Sequence, residues 1–207
     1  MNPYSSFLIE SKRFEIIIHN NTQNIIISKQ IQDIQYYTIQ NLVAKCFCPN
    51  IKTLEIGSWS GLSAILIGEI VQRAKGIHYC IDWYKGNPNG EGNLTKEIIE
   101  KFDIPKIFRE NVEFFNLSDT IKQIIKTSEE ASKLFEDNYF DFIFIDGNHY
   151  YEYIIQDFEL WYPKLKKGRI ISGHDYLTCH DAVNYLIEKY SLNINIENDI
   201  WWVNKSE

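Results

Sequence analysis

Lys52-Thr53-Leu54-Glu55-Ile56-Gly57-Ser58-Trp59-Ser60-Gly61 is the stretch whose reading decides the fold. Its first half is a short apolar strand that carries an acid, Glu55, near its end. Two glycines follow, and then an apolar run over 62–71 with helical periodicity. A strand, a glycine turn and a helix in that order make a binding edge at the carboxyl end of a parallel strand. Gly57 permits a tight turn, and Gly61 lets the backbone approach a ligand or the helix approach the strand. The spacing is acid-x-Gly-x-x-x-Gly, and it differs from the Gly-x-Gly-x-x-Gly that cradles a dinucleotide pyrophosphate. An ordinary strand-to-helix turn of another α/β protein would share this local pattern.

Outward from that stretch, strands and helices alternate to the end of the chain. Strands are expected over 52–56, 77–82, about 112–117, 140–146 and 169–173, with two closing runs over 193–196 and 200–203. Helices fit 95–102, 119–135, 150–165 and 181–190. The alternation predicts an α/β fold with a single doubly wound, mostly parallel, seven-stranded sheet. Upstream, 14–19 and 25–27 are β-branched runs around an Asn-rich turn, which predicts a hairpin. Ser28 can cap a helix over 29–46 that has Ile31, Ile34, Ile39, Leu42 and Val43 near one face. Residues 1–48 therefore read as an N-terminal extension and 49–207 as the main domain. The extension reads equally as a cap or dimerisation element and as a cover over one sheet face.

Composition bounds the function. The 207 residues suit one domain with a sizeable core, and 44% hydrophobic with 24% charged residues is a globular balance. A net charge of -7 argues against a nucleic-acid-binding surface. No apolar run is long enough to span a bilayer, and the first residues lack the layout of a secretory leader. The cysteines are Cys46, Cys48, Cys80 and Cys179, with no Cys-x-x-Cys, so spacing announces no structural zinc site. Reduced thiols in a cytoplasmic protein are expected.

Functional side chains of an open parallel sheet gather at the carboxyl ends of its strands. The second strand ends in Asp82, which reads as a partner for ribose hydroxyls or as a solvated loop acid. Trp83 begins a glycine- and asparagine-rich loop to Asn93, placed as a lid or a plain surface loop. The third strand is expected to end in Asn116-Leu117-Ser118-Asp119, where Ser118 serves as a helix cap or a ligand contact. The fourth gives Asp141-Phe142-Ile143-Phe144-Ile145-Asp146-Gly147-Asn148-His149, and the fifth Gly168-Arg169-Ile170-Ile171-Ser172-Gly173-His174-Asp175-Tyr176. Adjacent strand ends thus bring Asp146, His149, His174 and Asp175 to one region. Carboxylates are seldom buried unpaired, so packing alone does not account for four such groups.

The turn at Gly57, together with the span 141–176, resembles the class I S-adenosylmethionine-dependent methyltransferases. The resemblance runs over 52–190 and points to a bacterial subgroup that includes macrocin-type sugar O-methyltransferases and cephalosporin-hydroxylase-like proteins. It implies a Rossmann-like methyltransferase fold, S-adenosylmethionine as cofactor and a small-molecule, phenolic or sugar hydroxyl as acceptor. It implies cofactor contacts from Glu55, Gly57, Ser58, Trp59, Gly61, Asp82, Trp83, Ser118 and Asp146, and a homodimer. The same positions are similar to those of the catechol and caffeoyl-coenzyme A O-methyltransferases, which bind a divalent metal. Carried over, the ligands are Asp146, His174 and Asp175, for Mg²⁺ or Mn²⁺. His174 departs from the oxygen ligand of that pattern, and imidazole shifts preference away from Mg²⁺. His149 stands where the catechol-type enzymes carry a catalytic lysine. With an unperturbed pKa near 6.5, it can take a hydroxyl proton at neutral pH. His149 and Asp146 are therefore the candidate catalytic residues.

Two other readings remain open at this level. Two histidines and an acid also suit a non-haem iron hydroxylase, which would leave Gly57 and Asp82 without a role. A relative that binds the cofactor without turnover would keep the same motifs.

Overall fold

The protein is described by a computed structural model covering residues 8–11, 14–19, 23–27, 33–86 and 93–206. In chain order its elements are β1 (Leu8–Ser11), β2 (Phe14–His19), β3 (Gln23–Ile27), α1 (Asp33–Lys45), β4 (Lys52–Ile56), α2 (Leu62–Arg73), β5 (Ile77–Asp82), α3 (Asn93–Lys101), α4 (Ile104–Phe114), β6 (Ile121–Ile125), α5 (Ser128–Ser132), β7 (Phe140–Ile145), α6 (Tyr151–Trp161), β8 (Leu165–Gly173), α7 (Tyr176–Tyr190), β9 (Ile194–Glu197) and β10 (Ile200–Asn204).

The main sheet has seven strands in the order β6-β5-β4-β7-β8-β10-β9. β6, β5, β4, β7 and β8 pair in parallel, while β10 is antiparallel to both β8 and β9. The chain moves outward from β4 through β5 to β6, then returns to the other side of β4 for β7. That reversal opens a crevice between the carboxyl ends of β4 and β7, where such sheets bind ligands.

β7 is central, and each of its six residues is buried. Side chains alternate across a strand, so Phe142 and Phe144 join α1 and α2 residues on one face. Ile143 and Ile145 join Ile154, Phe158 and Val183 of α6 and α7 on the other. Asp141 within this strand is 1% exposed. Its carboxylate accepts from the Lys52 backbone N–H and from Lys166 Nζ, both at 2.9 Å, with Arg169 Nε at 3.4 Å. One buried charge therefore aligns the starts of three neighbouring strands.

The region between β5 and β7 differs from the sequence expectation. Residues 112–117 form no strand: they belong to the end of α4 and the turn after it, and the third parallel strand is β6 (Ile121–Ile125). The expected helix over 119–135 is replaced by β6 and the short α5. Asp103 explains the shift. Its side chain accepts from the Lys106 backbone N–H at 3.1 Å and starts α4, with Pro105 in its first turn. Ile104, Phe108, Asn111 and Val112 then fall on one buried face. Ser118 consequently precedes β6. It lies at the amino edge of the sheet, exposed to solvent, so it is not at a carboxyl strand end as expected.

In the extension, β1, β2 and β3 form a three-stranded antiparallel sheet, one strand more than the expected hairpin. Ser28, Ile31 and the turn between β2 and β3 lie outside the described residues. α1 buries Ile39, Leu42 and Val43 against Ile67 and Val71 of α2 and Ile200 of β10, so it covers that sheet face.

Candidate active site

The glycine turn after β4 is built by backbone constraint. Gly57 has φ +88°, and a Cβ placed there would lie 2.0 Å from the Asp146 carbonyl oxygen. Only glycine lets the ends of β4 and β7 come this close. Gly61, φ +96°, faces the Phe108 ring, which a Cβ would meet at 2.9 Å. The close contact at Gly61 is with a side chain of α4, a partner the sequence reading did not name.

Asp82, at the end of β5, reaches across to this turn. Its Oδ2 accepts from the Trp59 backbone N–H at 2.9 Å and its Oδ1 from that of Tyr84 at 2.7 Å. Burial pushes its pKa up to about 6, against the lowering effect of these N–H groups. Each carboxylate oxygen has two lone-pair sites, so after these two bonds Asp82 keeps acceptor capacity for a pair of hydroxyls. Trp83 follows, partly exposed. The loop beyond it, residues 87–92, lies outside the described residues.

Ser58 is buried beneath the turn, with its Oγ 3.4 Å from Tyr84 Oη. Tyr84 Oη in turn accepts from Gln123 Nε2 at 2.9 Å. Asn111 Nδ2 donates to the Ser60 carbonyl at 2.8 Å. Glu55 is wholly buried and faces α2, where the Ser63 hydroxyl donates to its Oε1. It therefore acts on the turn through the first turn of α2. Ser63, Asn111 and Gln123 were not singled out from the sequence. Of these, Ser63 carried a readable signal, as a polar residue at a core position of an apolar helix.

On the other side of the crevice, the expected quartet is assembled. His174 Nδ1 lies 3.2 Å from Asp146 Oδ1 and 3.3 Å from Asp175 Oδ2. His149 Nε2 lies 3.2 Å from the same Asp175 oxygen and 3.8 Å from Asp146 Oδ1. Asp175 sits in the left-handed region at φ 54°, which aspartate tolerates better than most residues. It occupies the position before α7 yet makes no side-chain cap, which leaves its carboxylate to the histidines. His174 is buried, whereas His149 is 26% exposed. Burial pushes Asp146 upward, but His174 and His149 outweigh this and hold it below its ordinary value. Burial lowers His174, and the two carboxylates more than reverse that, raising it to about 10.

Within this quartet, the ligand atoms of Asp146, His149 and Asp175 all lie within 4.8 Å of one another. This group differs from the set read off the sequence by having His149 in place of His174. His180 stands apart, exposed and beside Asp181.

Strand order, glycine turn and the crevice beside it are those of the Rossmann-like methyltransferase fold. A family model described as Methyltransferase domain matches residues 54–176, more than half of the chain, and the chain belongs to that family. Among curated proteins it is 27% identical over 146 residues to an uncharacterised protein of Acanthamoeba polyphaga mimivirus, covering 69% of this chain and 59% of that one. It is 25% identical over 130 residues to an uncharacterised protein of Sinorhizobium fredii, covering 60% of this chain and 13% of that one. The chain thus spans less than two thirds of either relative. Among solved structures it is similar to the O-methyltransferase NovP, at TM-score 0.67 and 19% identity over 84% of this chain and 80% of that one. It is similar as well to an O-methyltransferase from Bacillus cereus in complex with S-adenosylhomocysteine, at 0.62 and 17% over 86% and 84%. At these identities the structural likeness carries the fold alone. Family membership sets the hydroxylase reading aside. Among the described residues, no helix is long and apolar enough to cross a membrane.

Proposed function

We propose that this chain transfers the methyl group of S-adenosylmethionine to a hydroxyl oxygen of a small molecule or sugar. The observation that carries this reading is the placement of His149 and its carboxylate partner Asp175 at 3.2 Å, across the crevice from the Asp82 edge. When bound, S-adenosylmethionine supplies a sulfonium methyl group to the attacking oxygen. Asp82 accepts the ribose hydroxyls. Gly57, Ser58, Trp59, Gly61 and Trp83 shape the turn against the cofactor, Glu55 braces it through Ser63, and Asp146 faces the methionine end. Among the residues first read as cofactor contacts, Ser118 has no part in this, because it lies at the opposite edge. His149 takes the acceptor proton on the ring nitrogen that does not face Asp175, as the oxygen attacks, while its Nε2–H donates to Asp175, which holds the imidazole in place. Aligning the two reactants is the main contribution expected of the protein, worth about 7–11 kcal/mol at best.

The Asp146, His149 and Asp175 group also favours a second reading. Two carboxylates and an imidazole fit a divalent ion such as Mn²⁺ better than Mg²⁺, and an ion there would lower the pKa of the acceptor hydroxyl. His149 would then be a ligand, with no separate base.

The test is turnover to S-adenosylhomocysteine with a panel of phenols and sugars, in EDTA or with Mn²⁺. The product should carry its methyl on oxygen, and His149→Gln should lower kcat by about 10²–10⁴. Turnover in EDTA selects the base reading, and loss restored by Mn²⁺ selects the metal. Methylation on nitrogen or carbon, or a rate indifferent to His149→Gln, would contradict the proposal.

A further inference from the structure

Beneath the glycine turn lies a second cluster of ligand-type side chains, separate from the carboxyl edge. β4 and β5 pair with Thr53 opposite His78 and Glu55 opposite Cys80. Glu55, His78 and Cys80 are all 0% exposed. Their ligand atoms lie within 4.8 Å of one another. His78 Nε2 has no hydrogen-bond partner and faces Glu55 Oε2 at 3.5 Å. Cys80 Sγ lies 3.8 Å from the same oxygen. The other ring nitrogen, His78 Nδ1, is 2.8 Å from Thr53 Oγ1, the kind of outer contact that orients a ligating imidazole.

We propose that Glu55, His78 and Cys80 bind a zinc ion that ties β4, β5 and α2 together under the glycine turn. The donor set is one thiolate, one imidazole and one carboxylate, which suits zinc. Zinc bonds of about 2.0–2.3 Å set tetrahedral ligand atoms roughly 3.3–3.5 Å apart. The His78–Glu55 separation already meets this, and the Cys80–Glu55 separation is a few tenths longer. Glu55 Oε2 is the oxygen that faces His78 and Cys80, while Oε1 accepts the Ser63 hydroxyl, which orients the carboxylate from behind. Charge also balances: a thiolate and a carboxylate offset the two positive charges of the ion. A buried imidazole nitrogen left without a partner keeps its desolvation penalty uncompensated, and the ion removes that penalty. Cysteine spacing could not announce this site, because its donors come from two strands and only one is a thiol. Full burial means the ion enters as the chain folds.

The test expresses the full chain in medium supplemented with Zn²⁺ or with Co²⁺. The zinc-grown chain should retain about one zinc per chain through gel filtration in EDTA. The cobalt-grown chain should show a thiolate-to-cobalt charge-transfer band. Cys80→Ser should abolish the band, while Cys179→Ala and Asp175→Asn should leave it, which separates this site from the cluster at the carboxyl edge. Thr53→Val keeps every ligand and should weaken metal retention by about 10–100-fold. It also serves if Cys80→Ser does not fold. A wild-type chain without retained metal or band, or a band that survives Cys80→Ser, would overturn the proposal.

Discussion

His174 Nδ1 lies 3.2 Å from Asp146 Oδ1 at the ends of adjacent strands, and the contact displaces the two groups in opposite directions. Against the effect of burial, Asp146 is held low and His174 is raised to about 10. A carboxylate with a depressed folded pKa contributes stability above its unfolded value and loses it as pH falls through the folded one. A histidine with a raised pKa contributes fully below its unfolded value and loses that as pH rises through about 10. The metal-free pair therefore stabilises most between roughly pH 4 and 6.5 and fades above that. Asp146→Asn should cost about 3 kcal/mol near pH 6 and less near pH 10. Urea unfolding of both chains across that range checks it, and a deficit that grows with pH would contradict the pairing.

Asp157 on α6 behaves in the opposite sense. It is 5% exposed, and burial raises its pKa to about 7, partly offset by a hydrogen bond with Ser128. The folded chain keeps this proton in a range where the unfolded chain has already lost it. Stability is therefore lost as pH rises from about 4 to about 7. Asp157→Asn should be near neutral at about pH 4 and stabilising by up to roughly 3–4 kcal/mol near pH 8. Thermal unfolding at both pH values reads the difference directly.

The glycine turn should tolerate no side chain. At Gly57 a methyl group would meet the Asp146 carbonyl at 2.0 Å, whereas at Gly168, also at positive φ, nothing lies within 4 Å. Gly168→Ala should cost only the conformational strain, about 1–2 kcal/mol. Gly57→Ala should cost more than about 3 kcal/mol and abolish cofactor binding in whatever fraction folds. Equal midpoints for the two variants in urea would show that the close approach is not obligatory.

Tyr84 links the turn to β6, since its hydroxyl accepts from Gln123 and lies beside Ser58. Tyr84→Phe should destabilise the chain by about 1–2 kcal/mol. It should weaken S-adenosylhomocysteine several-fold, because Ser58 loses its support. An unchanged affinity, measured by titration, would show that the turn is held without Tyr84.

Much of this architecture was legible because periodicity and turn chemistry agreed. The Glu55-x-Gly57 turn, the uniformly apolar β7 and the Gly168 signal before 169–173 each placed a parallel strand. Those strand ends placed Asp82, Asp146, His149, His174 and Asp175. The reading failed over 104–135, where local propensity misled. Val112, Phe114 and Phe115 are good strand formers, but the Asp103 cap and Pro105 had already committed that stretch to a helix. The capping box of Thr127 with Glu130 marked the true start of α5, and overlooking it hid the short strand before it. A buried partner such as Asn111 was invisible for a different reason: its contact with the Ser60 carbonyl joins residues far apart in sequence, and no local pattern encodes it.

The most direct test of the central claim is calorimetric titration of the purified chain with S-adenosylhomocysteine, beside Asp82→Ala. The account predicts saturable one-to-one binding by the wild-type chain. The Asp82→Ala chain should remain folded and bind at least about tenfold more weakly, a loss of about 1.4 kcal/mol or more. A folded wild-type chain that takes up no S-adenosylhomocysteine, or an Asp82→Ala chain that binds it equally well, would contradict the placement of the cofactor at this edge.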